Sequence, residues 1–272
     1  MKTRVELTDA LLDLLLKEGF SESNFADLYG DKRKAIRALM NVRPPIPASA
    51  ELLRAQDELL QVEFQDKNLV DVDSLPTIAE DFPNSATPHR DQLILWQGDI
   101  TTLCADAIVN AANAAMLGCF HPLHNCIDNV IHSAAGIQLR LACKEIIQAQ
   151  GHEEPTGSAQ ITPGFNLPAK YALHTVGPIV NGAVTPEHAR LLGSSYHACL
   201  DLAAKTPSIR NVTFCCISTG VYGYPKEDAA QVAIRSVGEW LDEHPDRMDR
   251  VIFNVFTDED LSIYRRLFGE RN

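Results

Sequence analysis

Positive charge is scarce in this chain: 24 Lys and Arg stand against 36 Asp and Glu, a formal net charge of −12. Non-specific nucleic-acid binding rests on phosphate neutralisation by Lys and Arg, so this balance argues against nucleic acid as a partner. Long apolar runs are missing as well, and nothing approaches the ~20 consecutive residues that cross a bilayer. The opening Met1-Lys2-Thr3-Arg4-Val5-Glu6 leads into an acidic amphipathic segment, unlike a signal peptide, so a cytoplasmic protein with no membrane partner is expected. Seven cysteines, at positions 104, 119, 126, 143, 199, 215 and 216, are an odd set for a disulfide framework and read as reduced thiols. Cys215 and Cys216, in an apolar run, are expected in a buried strand. Repeats and low-complexity segments are absent. What remains is a chain of 272 residues, 45% hydrophobic and 22% charged, able to build a real core.

Two regions differ in pattern. The first ~70 residues read as helices. Thr8 is placed to cap a segment with Leu11, Leu12, Leu15 and Leu16 on one face, stopping at Gly19. A second helix is expected from Asp31 to Met40, before the Arg43-Pro44-Pro45-Ile46-Pro47 break, and a third from near Ser49 through Phe64. Asp71 to about Arg90 reads as a linking loop. The expected division is therefore a helical extension and linker over 1–80 and a main domain over 88–272, with the extension packed on the domain.

From Gln92 the pattern alternates. Strands are expected at Leu93–Gln97, Ala107–Asn110, Ala159–Thr162, Ala172–Val176, Val212–Ile217 and Val251–Phe256. Helices are expected at Asp128–Gln150, Pro186–Ala204, Lys226–Glu243 and Asp258–Phe268. Apolar strands alternating with helices predict a mainly parallel sheet covered on both faces. Ligands in such sheets bind beyond the carboxyl ends of strands, which is where the chemistry-bearing residues fall.

Asp99 follows the first of these strands, where its carboxylate can accept from an exocyclic amine or close an Asx turn. Asn110 and Asn113 end the second. Cys119, His124 and Cys126 follow within eight residues, with Asp128 two positions on. Cys and His are ligand types zinc prefers, and three of them leave a fourth position open, as in catalytic sites; His121 is the rival ligand. Ser218-Thr219-Gly220-Val221-Tyr222-Gly223 is a small-residue loop whose N–H groups can cradle a diphosphate, without the lysine or spacing of a P-loop. An acidic chain binding such an anion must draw positive potential from backbone N–H groups, helix N-termini or a metal.

Four stretches in this order, Gly98-Asp99-Ile100-Thr101, Asn110-Ala111-Ala112-Asn113, Ile131-His132-Ser133-Ala134-Ala135-Gly136 and Ile217 to Pro225, resemble the macrodomain family, which binds ADP-ribose. The likeness runs from about Gln92 to Phe268 and implies a three-layer α/β/α fold with a mixed, mainly parallel sheet, here behind an N-terminal helical extension. Where many relatives carry a short glycine run, this chain has the longer loop 118–127 with Cys119, His124 and Cys126. In this it resembles the zinc-containing microbial branch of macrodomain ADP-ribosyl hydrolases, and Zn2+ is the cofactor implied.

The resemblance implies roles residue by residue. Asp99 selects adenine, with Ile100 beside it, and Phe256 stacks on the base; the plain alternative for Phe256 is core. Ser218, Thr219, Gly220 and Val221 hold the diphosphate, and Tyr222 lies over the distal ribose. Asn113 orients that ribose, while Asn110 fastens the loop to neighbouring backbone and is counted with the substrate residues. Asp128 positions the attacking water, or serves as a helix N-cap, or both. Zinc could hold substrate or lower the pKa of a bound water. His132, His174 and His197 read as satisfied histidines outside the catalysis. The activity implied is removal of mono-ADP-ribose from protein side chains through an O-link. The partners implied are the modified protein and ADP-ribose, with a sirtuin-type transferase and a lipoyl-carrier protein in some members. A module that binds ADP-ribose without cleaving it, and deacetylation of O-acetyl-ADP-ribose, are the alternatives.

Overall fold

Capping residues set the helices of the N-terminal region. The computed structural model describes residues 3–19 and 30–269. Helix α1 (Arg4–Lys17) starts four residues before the expected Thr8 cap, because Thr3 and Glu6 form a reciprocal capping box. The Thr8 hydroxyl instead donates to Arg4 O. Asp31 caps α2 (Lys32–Val42) and Ser49 caps α3 (Ala50–Gln65). Their leucines, among them Leu11, Leu39, Leu52 and Leu59, bury into a small core of their own. Ile137 from the main domain completes that core, with Leu123 and Leu141 packed against it.

The stretch expected as a bare linker is more ordered than its composition suggests. Val70–Asp71 (β1) pairs in parallel with Leu103–Cys104 (β3), and a single turn of helix, α4, spans Ile78–Asp81. Val72 and Ile78 are buried in the main core, which anchors this stretch beneath the sheet.

Six strands form the main sheet: β2 (Leu93–Gln97), β4 (Ala107–Ala111), β5 (Ala159–Pro163), β6 (Tyr171–Thr175), β7 (Asn211–Phe214) and β8 (Arg250–Val255). Their order is β2-β8-β7-β4-β6-β5, all parallel except the antiparallel edge pair β5–β6. The central strands are almost wholly buried, as strands covered on both faces must be. Helices α5 (Ile127–Ala135), α6 (Ile137–Gln150), α7 (Pro186–Lys205), α8 (Lys226–Glu243) and α9 (Asp258–Phe268) supply the outer layers.

Two departures from expectation shape the ligand side. The helix expected from 128 to 150 is two helices, divided at Gly136 with φ 95 and ψ −178. Strand β7 stops at Phe214, so Cys215 and Cys216 lie beyond the ladder rather than within it. The β4–β7 ladder itself is confined to Ala107–Val212 and Ile108–Thr213, whereas β4–β6 runs over five residue pairs. In parallel sheets of this kind the ligand crevice lies where the strand order turns, here between the carboxyl ends of β4 and β7.

Candidate functional site

At the end of β2, Asp99 caps a 3-10 turn over Ile100–Thr102. Its Oδ1 accepts from Thr101 N (3.0 Å) and Thr101 Oγ1 (2.7 Å), while Lys67 Nζ lies 3.4 Å from Oδ2. Ile100 is buried beneath it. Phe256, at the end of adjacent β8, is 74% exposed. That exposure removes the core alternative and leaves an aromatic face open beside Asp99's strand.

The small-residue loop lies across the crevice. Ser218 is buried, adopts φ 66, and presents an Oγ with no hydrogen-bond partner. Gly223 needs its positive φ of 68, because its N–H closes a turn onto Gly220 O. Val180 N donates to Tyr222 O (2.8 Å), tying this loop to the segment after β6. Thr219 Oγ1 donates to Cys216 O, Gly220 faces open space and Val221 is exposed. Burial, and to a lesser extent the charge of Asp128, push the Tyr222 hydroxyl above its ordinary value.

Asp128 is 5% exposed. Asn110 Nδ2 donates to its Oδ1 (2.8 Å) and Asn113 Nδ2 to its Oδ2 (3.4 Å). Burial pushes this carboxyl up to about 6, against the lowering effects of Asn110 and Arg140. The helix cap is not its work: Cys126 Sγ accepts from Asn129 N (3.4 Å) and caps α5, with Asp128 in the first turn. Asn110 is fully buried and serves Asp128 and His174 rather than neighbouring backbone. Asn113 also donates to Gly118 O (3.2 Å), so one amide joins the start of the 118–127 loop to the carboxylate.

Asp128 is backed by two histidines, His132 and His174, that the sequence reading set outside the site. His132 Nε2 is 3.5 Å from Asp128 Oδ1, one helical turn along α5. Burial drives His132 well below its ordinary value, so the neutral ring meets a carboxyl rather than forming an ion pair. Its Nδ1 is buried without a partner, so His132 is not the satisfied histidine expected. His174, lowered to about 4 by burial, touches Asn110 Nδ2 (3.1 Å) and Thr162 Oγ1 (2.9 Å). An amide nitrogen only donates, which places the His174 proton on Nε2, toward Thr162. His197 bonds Ser236 O, away from the crevice. The i, i+4 spacing of Asp128 and His132 was the available signal for His132.

Cys119, His124 and Cys126 converge, with ligand atoms all within 4.8 Å of one another. Cys119 Sγ and His124 Nδ1 are 3.6 Å apart. Tetrahedral zinc with ordinary Zn–S and Zn–N bonds has an S–N edge of about 3.5 Å, so the donor set fits. The rival His121 turns its ring beside that of His124, with centroids 5.8 Å apart, and the convergent set does not include it. His132, Cys143 and His174 form another close group, but both His174 nitrogens are already engaged and the group reads as a hydrogen-bond network.

The Macro domain family model matches residues 109–233. A Treponema medium protein named protein-ADP-ribose hydrolase is 44% identical over 98% of this chain and 100% of its own length. One of the same name from Staphylococcus aureus (strain MSSA476) is 45% identical over 91% of this chain and 87% of its own. Among solved structures, a Trypanosoma brucei macrodomain in complex with ADP-ribose is 30% identical, with a TM-score of 0.64, covering 85% of this chain and 95% of that one. An Oceanobacillus iheyensis macrodomain with ADP is 38% identical, with a TM-score of 0.57, covering 65% and 90%.

Proposed function

Because this chain belongs to the macrodomain family, we propose that it is a hydrolase removing mono-ADP-ribose from modified protein side chains, the activity its relatives' name describes. The single observation that carries this is Asp128: a buried carboxyl held by two amides, raised to about 6, two residues past a metal-type ligand. A group of that acidity exchanges its proton near neutral pH, as general acid–base work requires. Its freedom from the capping role leaves both oxygens for Asn110, Asn113 and a water.

On this proposal Asp128 holds the water against C1 of the protein-linked ribose. As the water oxygen bonds to C1 and the C1–O bond to the protein breaks, Asp128 takes the water's proton. From a modified Asp or Glu the leaving oxygen departs as a carboxylate and needs no proton, which favours an O-linked ester. Asp99 and Phe256 would take adenine, Ser218 to Val221 the diphosphate, and Tyr222 and Asn113 the ribose. Cys119, His124 and Cys126 would hold zinc, which when bound supplies Lewis acidity beside the substrate. Thiolate ligands call for a reducing compartment, which supports the cytoplasm.

A Fusarium oxysporum relative, 39% identical over 86% of this chain and 40% of its own length, is named probable bifunctional ADP-ribose hydrolase/ADP-ribosyltransferase. That name supports a functional pairing with a transferase; a sirtuin type and a lipoyl carrier follow from the sequence resemblance alone. Incubating purified protein with Ser-, Asp/Glu- and Arg-linked mono-ADP-ribosylated substrates tests the proposal. Free ADP-ribose from the ester-linked substrate, lost by about 10²-fold in Asp128→Ala with bound metal retained, is the expected result. Tight binding with no release would return the chain to a binding module.

A further inference from the structure

The 118–127 loop is held in part from outside itself. Helix α2 lies against it with two polar side chains turned inward. Arg37 Nη2 donates to His124 O (2.8 Å) and to Asn129 Oδ1 (2.9 Å). Asn41, 1% exposed, accepts from Leu123 N (3.0 Å) and donates to Ser133 Oγ (3.0 Å). Leu123 has φ 57, a left-handed conformation uncommon for a residue with a Cβ. Its side chain packs against the core of the helical extension. The residue before His124 is thus fixed through its N–H, side chain and following carbonyl, all from outside the loop.

The hold extends to the other two ligands. Asn129, gripped by Arg37, donates through Nδ2 to Cys119 O (3.3 Å) and His121 O (2.9 Å), and its N–H meets Cys126 Sγ. Arg140 donates to Leu117 O just before the loop and to Met40 O and Arg43 O at the end of α2, with its guanidinium 4.3 Å from the centre of the Phe120 ring on the loop. Three donors carried on one irregular loop must lose conformational freedom when they bind a metal, unless something has ordered them first.

We propose that α2 is a clamp for the metal loop, with Arg37 and Asn41 as positioning residues that hold Cys119, His124 and Cys126 at ligand spacing. The N-terminal extension thereby sets the metal affinity of a site to which it contributes no ligand. This rests on the zinc reading of the loop made above.

Zinc and cobalt are the probes, applied to full-length protein after chelation. Competition with a chromogenic chelator gives zinc affinity, and the thiolate-to-cobalt absorption band reports ligand geometry without turnover. Arg37→Met keeps the stem and removes the donors; at least a tenfold loss of zinc affinity and a changed cobalt band are expected. Arg37→Lys recovers part of that loss, since an ammonium can still donate to His124 O but lacks the guanidinium fork. Asn41→Ser, which shortens the reach to Leu123, gives a loss of the same order. Arg33→Met is the control: Arg33 bonds Glu63 within the bundle (2.6 and 2.9 Å), so its loss lowers the melting temperature and leaves zinc affinity at the parent value. Unchanged affinity in Arg37→Met and Asn41→Ser overturns the clamp, as does an equal loss in Arg33→Met. A parent protein that takes up neither metal overturns the zinc reading itself, a result distinct from zinc-replete parent and variants alike.

Discussion

Asp128, in the acid–base role proposed for it, sets catalysis and stability in opposition. Its unfolded-state pKa is about 3.9, and in the fold burial raises it to about 6. A raised folded value means the folded state holds the proton more tightly. The stabilising contribution is therefore full below about pH 4 and lost as pH rises through about 6, a difference on the order of 3 kcal/mol. Asp128→Asn keeps an acceptor for Asn110 and never ionises. In chelated protein it should melt with the parent near pH 4 and several degrees above it near pH 8. Parallel curves across that range would place the ionisation cost elsewhere. Turnover has the opposite sign: a base must be ionised, so the parent rate should fall as pH drops through about 6. At the other end of the crevice, Asp99→Ala should weaken ADP-ribose binding by about 1.5–3 kcal/mol, the worth of a hydrogen bond to a charged group. Calorimetry on the folded variant measures it, and unchanged affinity would remove Asp99 from the adenine pocket.

Among the elements, Gly136 separates α5 from α6. Its φ of 95 with ψ −178 suits glycine alone, and a Cβ there would meet Gln56 Nε2 at 2.4 Å. Gln56 is fully buried and accepts from Ile137 N, so it is poorly placed to move. Gly136→Ala is expected to cost about 1–3 kcal/mol; a denaturant midpoint equal to the parent's would show the junction to be slack. This same glycine explains one limit of sequence reading. Apolar spacing runs unbroken from Asp128 to Gln150, so the helical period is plain while the break depends on a backbone angle and a neighbour from another helix. Strands β2, β4, β6 and β8 were legible for the opposite reason: buried on both faces, they read as short apolar runs. Strand β7 was overextended because Cys215 to Ile217 continue its apolar run past the point where the sheet parts. The convergence of Cys119, His124 and Cys126 was legible because the three donors fall within eight residues, close enough for one loop to bring them together. His132 and His174 were not, since an apolar context gives a histidine the look of core, and Arg37 and Asn41 were invisible because their partners lie more than eighty residues away.

For the whole molecule, the extension and the sheet domain share structure at several places, three of which are the 118–127 loop, Lys67 beside Asp99, and Val72 with Ile78 in the main core. Deleting residues before 92 removes all three and exposes apolar surface. A cut before 69 keeps Val72 and Ile78. The longer deletion should therefore melt lower and precipitate more readily than the shorter, and both should fall below the parent. Equal melting of all three proteins would make the extension an independent module. The strand order carries a further consequence. Leu93 of β2 pairs with Val251 of β8, so Asp99 and Phe256 are brought side by side by strands from opposite ends of the main domain. A ribosome delivers those strands many seconds apart, at roughly 5–20 residues per second. A growing chain that has already released Cys119, His124, Cys126 and Asp128 still lacks the wall on which adenine would rest. On the zinc and adenine roles proposed above, the nascent chain presents its metal ligands before its adenine wall exists, so a chain stalled before β8 would hold metal yet be blind to the nucleotide.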